Sequence, residues 1–439
     1  MVAGPEILEN AVLCVPRPSV AIASNKPVIV KQSLPPSTIH PNHVLIKVDR
    51  FGFSTNNLTY QALGEHPHFR YFDYHAVPEN DEISSTTHGV VPVWGFGTVV
   101  KSSHPKIEPG ERVYGYFAPA RYLLLPVSAN NVNKSTFYIP RPHLPADRRP
   151  YNQVLRCAHD SQYSPEPLLE DLTMLYRPLF WTAYWCEDCL FSSSYRGGTS
   201  RILISSASSK TAFCLAYLLQ KRIKTGGAKA TTQIIGLTSR RNFPFTTSLD
   251  LYHDVLTYDT FKESPLFHGG AEERWIYVDV AANQELNQTL FTHFASPYSG
   301  RLASFISLGL TNVSPTSSES SNLEWNEDSA RLFSANSQNP RNARDTSQFW
   351  PLKEEFFMPE WLAVRRHQLP LEEILKRQNN AWKELMRDCV DWVKIERRYG
   401  IKNVKEAYEL LLQEGIGPDT GLIWSLWNDE DKHLVKPRL

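Results

Sequence analysis

The chain has 439 residues, 41% of them hydrophobic and 21% charged. That is a soluble, globular composition with more chain than one ordinary core uses, so two domains are expected. Lys plus Arg and Asp plus Glu number 46 each, and a net charge of zero gives nucleic acid or an anionic membrane no electrostatic purchase as a partner.

No apolar run approaches the ~18 residues of a membrane span. The opening M-V-A-G-P-E-I-L-E-N has neither the basic start nor the apolar run of a secretion signal. The six cysteines are scattered, so reduced thiols and a cytoplasmic location are expected. The closing P-R-L shares its last residue with the S-K-L peroxisomal address and has a basic Arg438 for the Lys, with Pro437 in place of a small residue. Aromatic residues are 12%, with 11 Trp, which fits either a large core or an aromatic-lined pocket for an apolar ligand.

Residues 27–130 read as β-rich. H-V-L-I-K-V-D-R-F-G-F (43–53) alternates as a half-buried strand does. W-G-F-G-T-V-V (94–100), E-R-V-Y-G-Y-F (111–117) and R-Y-L-L-L-P (121–126) are further short strands, and P-G-E (109–111) has turn chemistry. Short strands between turns predict a small barrel or sandwich.

From about residue 165 the period changes. P-E-P-L-L-E-D-L-T-M-L-Y-R-P-L-F-W-T-A-Y-W-C-E-D-C-L (165–190) is helical, broken or re-aimed at Pro178. Apolar strands at 201–206, 233–238, 254–258, 275–280 and 301–310 then alternate with helical segments, which predicts a parallel sheet with helices on both faces. Residues 314–349 are Ser/Asn-rich and read as an exposed polar insertion. A helical tract, a short helix at 404–415 and a last strand at 421–427 close the chain.

This order resembles that of the medium-chain dehydrogenase/reductase superfamily. The carrying residues are V-L-I-K-V-D-R-F-G-F-S-T-N-N (44–57), G-V-V-P-V-W-G-F-G-T-V-V with E-P-G-E-R-V-Y-G (89–100, 108–115), W-T-A-Y (181–184), and K-N-V-K-E-A-Y-E-L-L-L-Q-E-G with G-L-I-W-S-L (402–415, 421–426). The resemblance implies an α/β fold: a GroES-like β-barrel domain plus a doubly wound parallel-sheet Rossmann domain. It places the β-rich domain at 1–165 and the nucleotide-binding domain at 166–350. Residues 351–439 would complete the second domain and return to the first. By analogy, homodimerisation would use an edge of the Rossmann sheet.

R-I-L-I-S-S-A-S-S-K-T-A-F-C-L-A (201–216) is laid out as strand, loop and helix, as in a dinucleotide-phosphate loop, but the loop has no glycine. Read alone, it is either a phosphate loop or a plain turn. As a phosphate loop, Ser206, Ala207, Ser208 and Ser209 supply compactness and hydroxyl donors, Lys210 supplies charge, and Thr211 caps the helix. The G-K-[ST] of an ATP-binding loop lacks its glycines here. One strand later Ser239, Arg240 and Arg241 stand where an NAD-binding protein carries an acid for the ribose, which suits a 2′-phosphate; Asn242 would add an adenosine contact. The cofactor expected is therefore NADP(H).

The resemblance implies that Gly309 and Leu310 lie along the nicotinamide, with Thr182, at a helix start, beside it. Asn283 is either a cofactor contact or a turn residue. No catalytic zinc set is found: Ser54, Thr55 and Asn56 stand where a Cys would be needed, and C-E-D-C (186–189) lies on a helix with no second pair after it. No metal is expected. Candidate catalytic residues are Tyr60 as proton donor and Asn57 as a hydrogen-bond partner for a substrate oxygen. A packed aromatic is the other reading of Tyr60. Asn56, Trp94, Phe356 and Phe357 would line the pocket. In the aromatic-rich loop H-P-H-F-R-Y-F-D-Y-H (66–75) the histidines have no metal spacing and read as solvated or stacking; lining the pocket is the other reading of the loop.

The function expected is a zinc-independent, NADP(H)-dependent reduction of an activated C=C or C=O in an apolar or aromatic small molecule. The competing readings are a non-catalytic binding or scaffold protein on the same fold, and a non-redox enzyme that retains the nucleotide.

Overall fold

The structure, a computed structural model, describes residues 8–20, 26–34, 39–67, 69–229, 231–270, 272–280, 282–296, 299–308 and 353–428. The polar insertion at 314–349 and the terminal P-R-L lie outside the described residues. The fold is mixed α/β, in two compact units: Met1–Leu175 with Leu375–Ile416 and Thr420–Leu439, and Tyr176–Ile374 with Gly417–Asp419. Residues 351–374 thus cluster with the second unit and 375–416 with the first.

In the first unit β1 (Leu8–Pro16), β2 (Val28–Leu34), β3 (His43–Phe53), β4 (His88–Gly89), β5 (Val93–Ser102), β6 (Arg112–Phe117), β7 (Tyr122–Pro126), β8 (Thr136–Tyr138) and β9 (Gln153–Arg156) follow one another. Strand β3 is the hub. It pairs antiparallel with β5 on one edge. Its first half also pairs with β7, and its Phe51–Phe53 end with the strand Thr420–Ser425. The stretch Lys394–Tyr399 forms a strand parallel to that last one, although its K-I-E-R-R-Y sequence shows no apolar run. Phe53 stacks on Trp424 at 4.2 Å between ring centroids, so the returning strand is fixed by aromatic burial as well as by its ladder.

The helix Pro167–Ser192 is continuous through Pro178, so the chain is not broken there. Pro178 has no N–H to give the carbonyl of Met174. Gly52 packs on that same carbonyl: a Cβ on Gly52 would lie 2.9 Å from the Met174 oxygen, so only glycine allows β3 this close. The start of the helix is held electrostatically. Glu170 pairs with Arg50 at 2.7 Å and with Arg112 at 2.8 Å, and the buried Asp171 pairs with Arg397 at 2.5 Å.

The second unit is a parallel sheet of β10 (Arg201–Ile204), β11 (Gln233–Thr238), β12 (Asp254–Thr257), β13 (Arg274–Asp279), β14 (Arg301–Ser307) and β15 (Lys353–Glu355). The spatial order is β12-β11-β10-β13-β14-β15. Numbered within the unit this is 3-2-1-4-5-6, the doubly wound dinucleotide-fold order. The sequence explains it: Ile202, Leu203, Ile204, Ile234, Ile235 and Ile276 are wholly buried, as strands covered by helices on both faces require. The helix Lys210–Lys224 buries Ala212 through Leu219 and ends in Lys221, Arg222 and Lys224, which suit the negative end of its dipole.

Candidate active site

The reversal of strand order falls between β10 and β13, and crevices outside strand ends at such points are where doubly wound sheets take ligands. The loop after β10 lies there. Ser206 has φ +51, the left-handed conformation a glycine would normally take. The backbone around it is braced from a distance. Ser206 N donates to the Tyr258 hydroxyl at 3.0 Å, and the Tyr252 hydroxyl donates to the Ala207 carbonyl at 2.8 Å. Ala207 is buried against β11, and the glycine absent from the loop is found there: a Cβ on Gly236 would lie 2.8 Å from the Ala207 Cβ. Ala207 therefore serves packing and not ligand contact.

The serine oxygens are also placed. Ser205 Oγ donates to Asp279 Oδ1 at 3.0 Å and accepts from Val280 N at 2.9 Å. Asp279 is fully buried and further accepts from Ala282 N at 2.9 Å and Asn287 Nδ2 at 2.8 Å, which locks the ends of β10 and β13 together. Burial raises its carboxyl pKa. Ser208 Oγ accepts from Asn242 Nδ2 at 3.0 Å, and Ser209 Oγ accepts from Ala212 N at 3.4 Å. A hydroxyl that accepts still has its own proton to donate. The helix cap is thus Ser209, not Thr211, which sits half-buried in the first turn. Lys210 is half-buried at the helix start, and burial pushes its amine down to about 8.

Past β11, Ser239 caps the short turn Arg240–Asn242. Arg240 and Arg241 are exposed, and Arg240 makes a loose 3.7 Å pair with Asp259, itself exposed. Asn242 joins this turn to the phosphate-type loop through Ser208. Asn283 is the N-cap of the helix Gln284–Phe294, its side chain accepting from Leu286 N at 3.1 Å. Thr182 is not at a helix start. It lies inside Pro167–Ser192 and donates to the Pro178 carbonyl at 3.2 Å. Gly309 and Leu310 lie outside the described residues. Phe356 and Phe357 are half-buried just after β15, Phe356 N donating to the Ser307 carbonyl at 3.0 Å.

In the first unit, Ser54 caps the helix Thr55–Ala62. Asn57 Oδ1 accepts from Ser54 N at 2.9 Å and its Nδ2 donates to the Pro92 carbonyl at 3.1 Å, so this buried amide serves the cap and not a substrate. Tyr60 is buried one turn on and accepts from Asn56 Nδ2 at 2.8 Å. Asn56 is therefore a partner of Tyr60, with its amide turned to the phenol. Burial drives the Tyr60 pKa well up, so the phenol holds its proton at neutral pH. Trp94, on β5, stands half-buried with its ring 4.9 Å from that of Tyr116.

Sequence reasoning missed Tyr252, Tyr258, Gly236 and Asp279, each of which reaches the loop from another part of the fold. Among the described residues no group of three or more His, Cys, Asp or Glu could hold a metal ion, and no helix is long and apolar enough to cross a membrane.

Strand order and loop position together are those of a doubly wound dinucleotide-type fold. The chain is similar to CurA from Vibrio vulnificus, at 12% identity over 98% of this chain and 100% of that one, with a TM-score of 0.53. It is similar to a mutant of Etr1p solved in complex with NADP and crotonyl-CoA, at 12% identity over 96% and 100%, with a TM-score of 0.52. A mutant form of enoyl thioester reductase from Candida tropicalis matches at 13% identity over 95% and 100%, with a TM-score of 0.51. The chain belongs to the family described as "Protein of unknown function (DUF2855)", which spans its residues 51–417. No curated protein matches it.

Proposed function

We propose that the chain is an NADP(H)-dependent oxidoreductase that reduces an activated C=C or C=O of an apolar or aromatic substrate without zinc. The observation that carries this reading is the loop at the strand-order reversal. It joins the O–H groups of Ser208 and Ser209 to Lys210 at a helix N-terminus, where amides and dipole favour phosphate. The exposed Arg240 and Arg241 at the end of β11 suit a 2′-phosphate. A bound reduced nicotinamide would supply hydride; the chain supplies binding and a proton. Tyr60 carries that proton. Its oxygen accepts from Asn56, which leaves its own O–H to donate and steadies the phenolate left behind. NADP is bound by Etr1p in its solved complex, which fits this reading by likeness of fold.

Calorimetric titration with NADPH tests it. Absence of binding at millimolar cofactor would overturn it and favour a scaffold role. Bound phosphate favours the protonated Lys210, so affinity is lost as pH rises through about 8. The expected loss is about tenfold, and Lys210→Met should flatten it. Arg240→Ala should weaken NADPH but leave NADH unchanged.

A further inference from the structure

A second group of polar side chains lies wholly in the first unit. The rings of Tyr74 and Tyr116 meet edge to face at 5.2 Å, and Tyr151 lies 5.2 Å from Tyr116 and 5.9 Å from Tyr74. The Tyr116 ring also meets that of Tyr60 edge to face at 6.0 Å, and burial raises the Tyr116 hydroxyl in pKa. Arg141 lies against them, its guanidinium 5.2 Å from the centre of the Tyr74 ring.

Arg141 is 7% exposed, yet among the described residues no carboxylate pairs with it. Its Nε donates to the Tyr74 carbonyl at 2.9 Å and its Nη1 to Asn152 Oδ1 at 2.9 Å. Both partners are neutral, and together they fix the plane of the fork. Nη2 is buried with no hydrogen-bond partner, as are the hydroxyls of Tyr74 and Tyr116 and the Trp94 indole N–H. Trp94 and Tyr116 stand near enough to favour the Tyr60 phenolate, but neither closes a hydrogen bond of good geometry.

The surrounding charges do not neutralise Arg141. Asp147 pairs with Arg148 at 3.1 Å, Asp73 pairs with Arg70 at 2.6 Å, and burial pushes His75 down to about 3, which leaves it uncharged. What remains is one buried cation and a set of unengaged donors among aromatic rings. A buried cation is costly unless it is paired, and the missing complement is an anion with acceptor oxygens. Tyr151 at the edge of the group is half-buried, whereas the unengaged donors themselves are closed off from solvent.

We propose that Arg141, with the Tyr74 and Tyr116 hydroxyls, binds the carboxylate of a planar unsaturated acid whose body lies among the aromatic rings. Calling that acid the substrate rests on the oxidoreductase reading; its binding does not. Trp94 and Tyr151 supply ring surface, and Nη2 supplies the charge-assisted bond.

Calorimetry on the full chain with cinnamate, and with neutral cinnamamide of nearly the same shape, tests the site. Cinnamate should bind about tenfold more tightly than cinnamamide. Arg141→Gln should abolish that preference and leave NADPH affinity unchanged. Tyr74→Phe, which keeps the ring, should weaken cinnamate a few-fold and serves if the arginine variant does not fold. Equal affinity for acid and amide, or no cinnamate binding at millimolar concentration, would overturn the proposal and assign the donors to buried water. Cinnamate binding without NADPH binding would retain this site and refute the oxidoreductase reading.

Discussion

The glycine-free loop of the second unit and the tyrosine group of the first treat polar atoms in opposite ways. In the loop, each serine oxygen and the two backbone groups of Ser206 and Ala207 have a protein partner. In the tyrosine group, four buried polar atoms, on Tyr74, Trp94, Tyr116 and Arg141, have none. A buried donor without a partner costs free energy, so the difference needs a cause. In the loop the cause is conformation: without glycine, an irregular backbone is held by hydrogen bonds with Tyr252 and Tyr258, which flank β12. In the tyrosine group the cause we propose is a ligand that these donors would bind. Substitutions that delete one polar group from each region separate the two accounts.

The largest effect is expected at Asp279. Asp279→Ala removes the acceptor of Ser205 Oγ, Ala282 N and Asn287 Nδ2 together. Several buried donors left unpaired should cost about 3 kcal/mol in urea unfolding, with loss of NADPH binding because the end of β10 loosens. A cost within about 0.5 kcal/mol would mean that water replaces the carboxylate and that the loop does not depend on its bracing.

How far the sequence discloses each region follows from the range of its contacts. The four central Rossmann strands are legible because doubly covered strands are continuous apolar runs, such as R-I-L-I and Q-I-I-G-L-T. The strand Lys394–Tyr399 was not, because an edge position leaves K-I-E-R-R-Y largely polar. Pro178 was read as a break or re-aiming, since the packing of Gly52 on the Met174 carbonyl comes from a strand far back in the chain. The strand-loop-helix layout at 201–216 was legible, but its substitute for glycine was not. Gly236, Tyr252 and Tyr258 lie 29, 45 and 52 residues from the loop positions they serve, and no local pattern connects them. The aromatic loop 66–75 supplies Tyr74, while Tyr116, Arg141 and Tyr151 join it only through the fold.

A smaller and opposite effect is expected at Ser206. Its left-handed φ of +51 costs an L-residue about 1 kcal/mol, and glycine relieves this while giving back part in unfolded-state entropy. Ser206→Gly should therefore stabilise the chain by about 0.5 kcal/mol in urea unfolding. Its backbone N–H to Tyr258 is kept, so NADPH affinity should not fall. Destabilisation would show that the side chain, whose oxygen lies 3.4 Å from the Tyr258 hydroxyl, matters more than the backbone strain.

The smallest effect on stability is expected at Tyr74. Its hydroxyl is buried and has no hydrogen-bond partner, so Tyr74→Phe deletes a desolvated donor and keeps the ring that packs on Tyr116. Removing such a group should change unfolding free energy by no more than about 0.5 kcal/mol, in either direction. The same variant is expected to lose cinnamate affinity. Stability unchanged with binding impaired is what a hydroxyl reserved for a ligand produces. A hydroxyl bridged by ordered water would instead cost about 1 kcal/mol on deletion and leave cinnamate unaffected. The second result would make the tyrosine group another braced region like the loop, and the contrast between the two units would disappear.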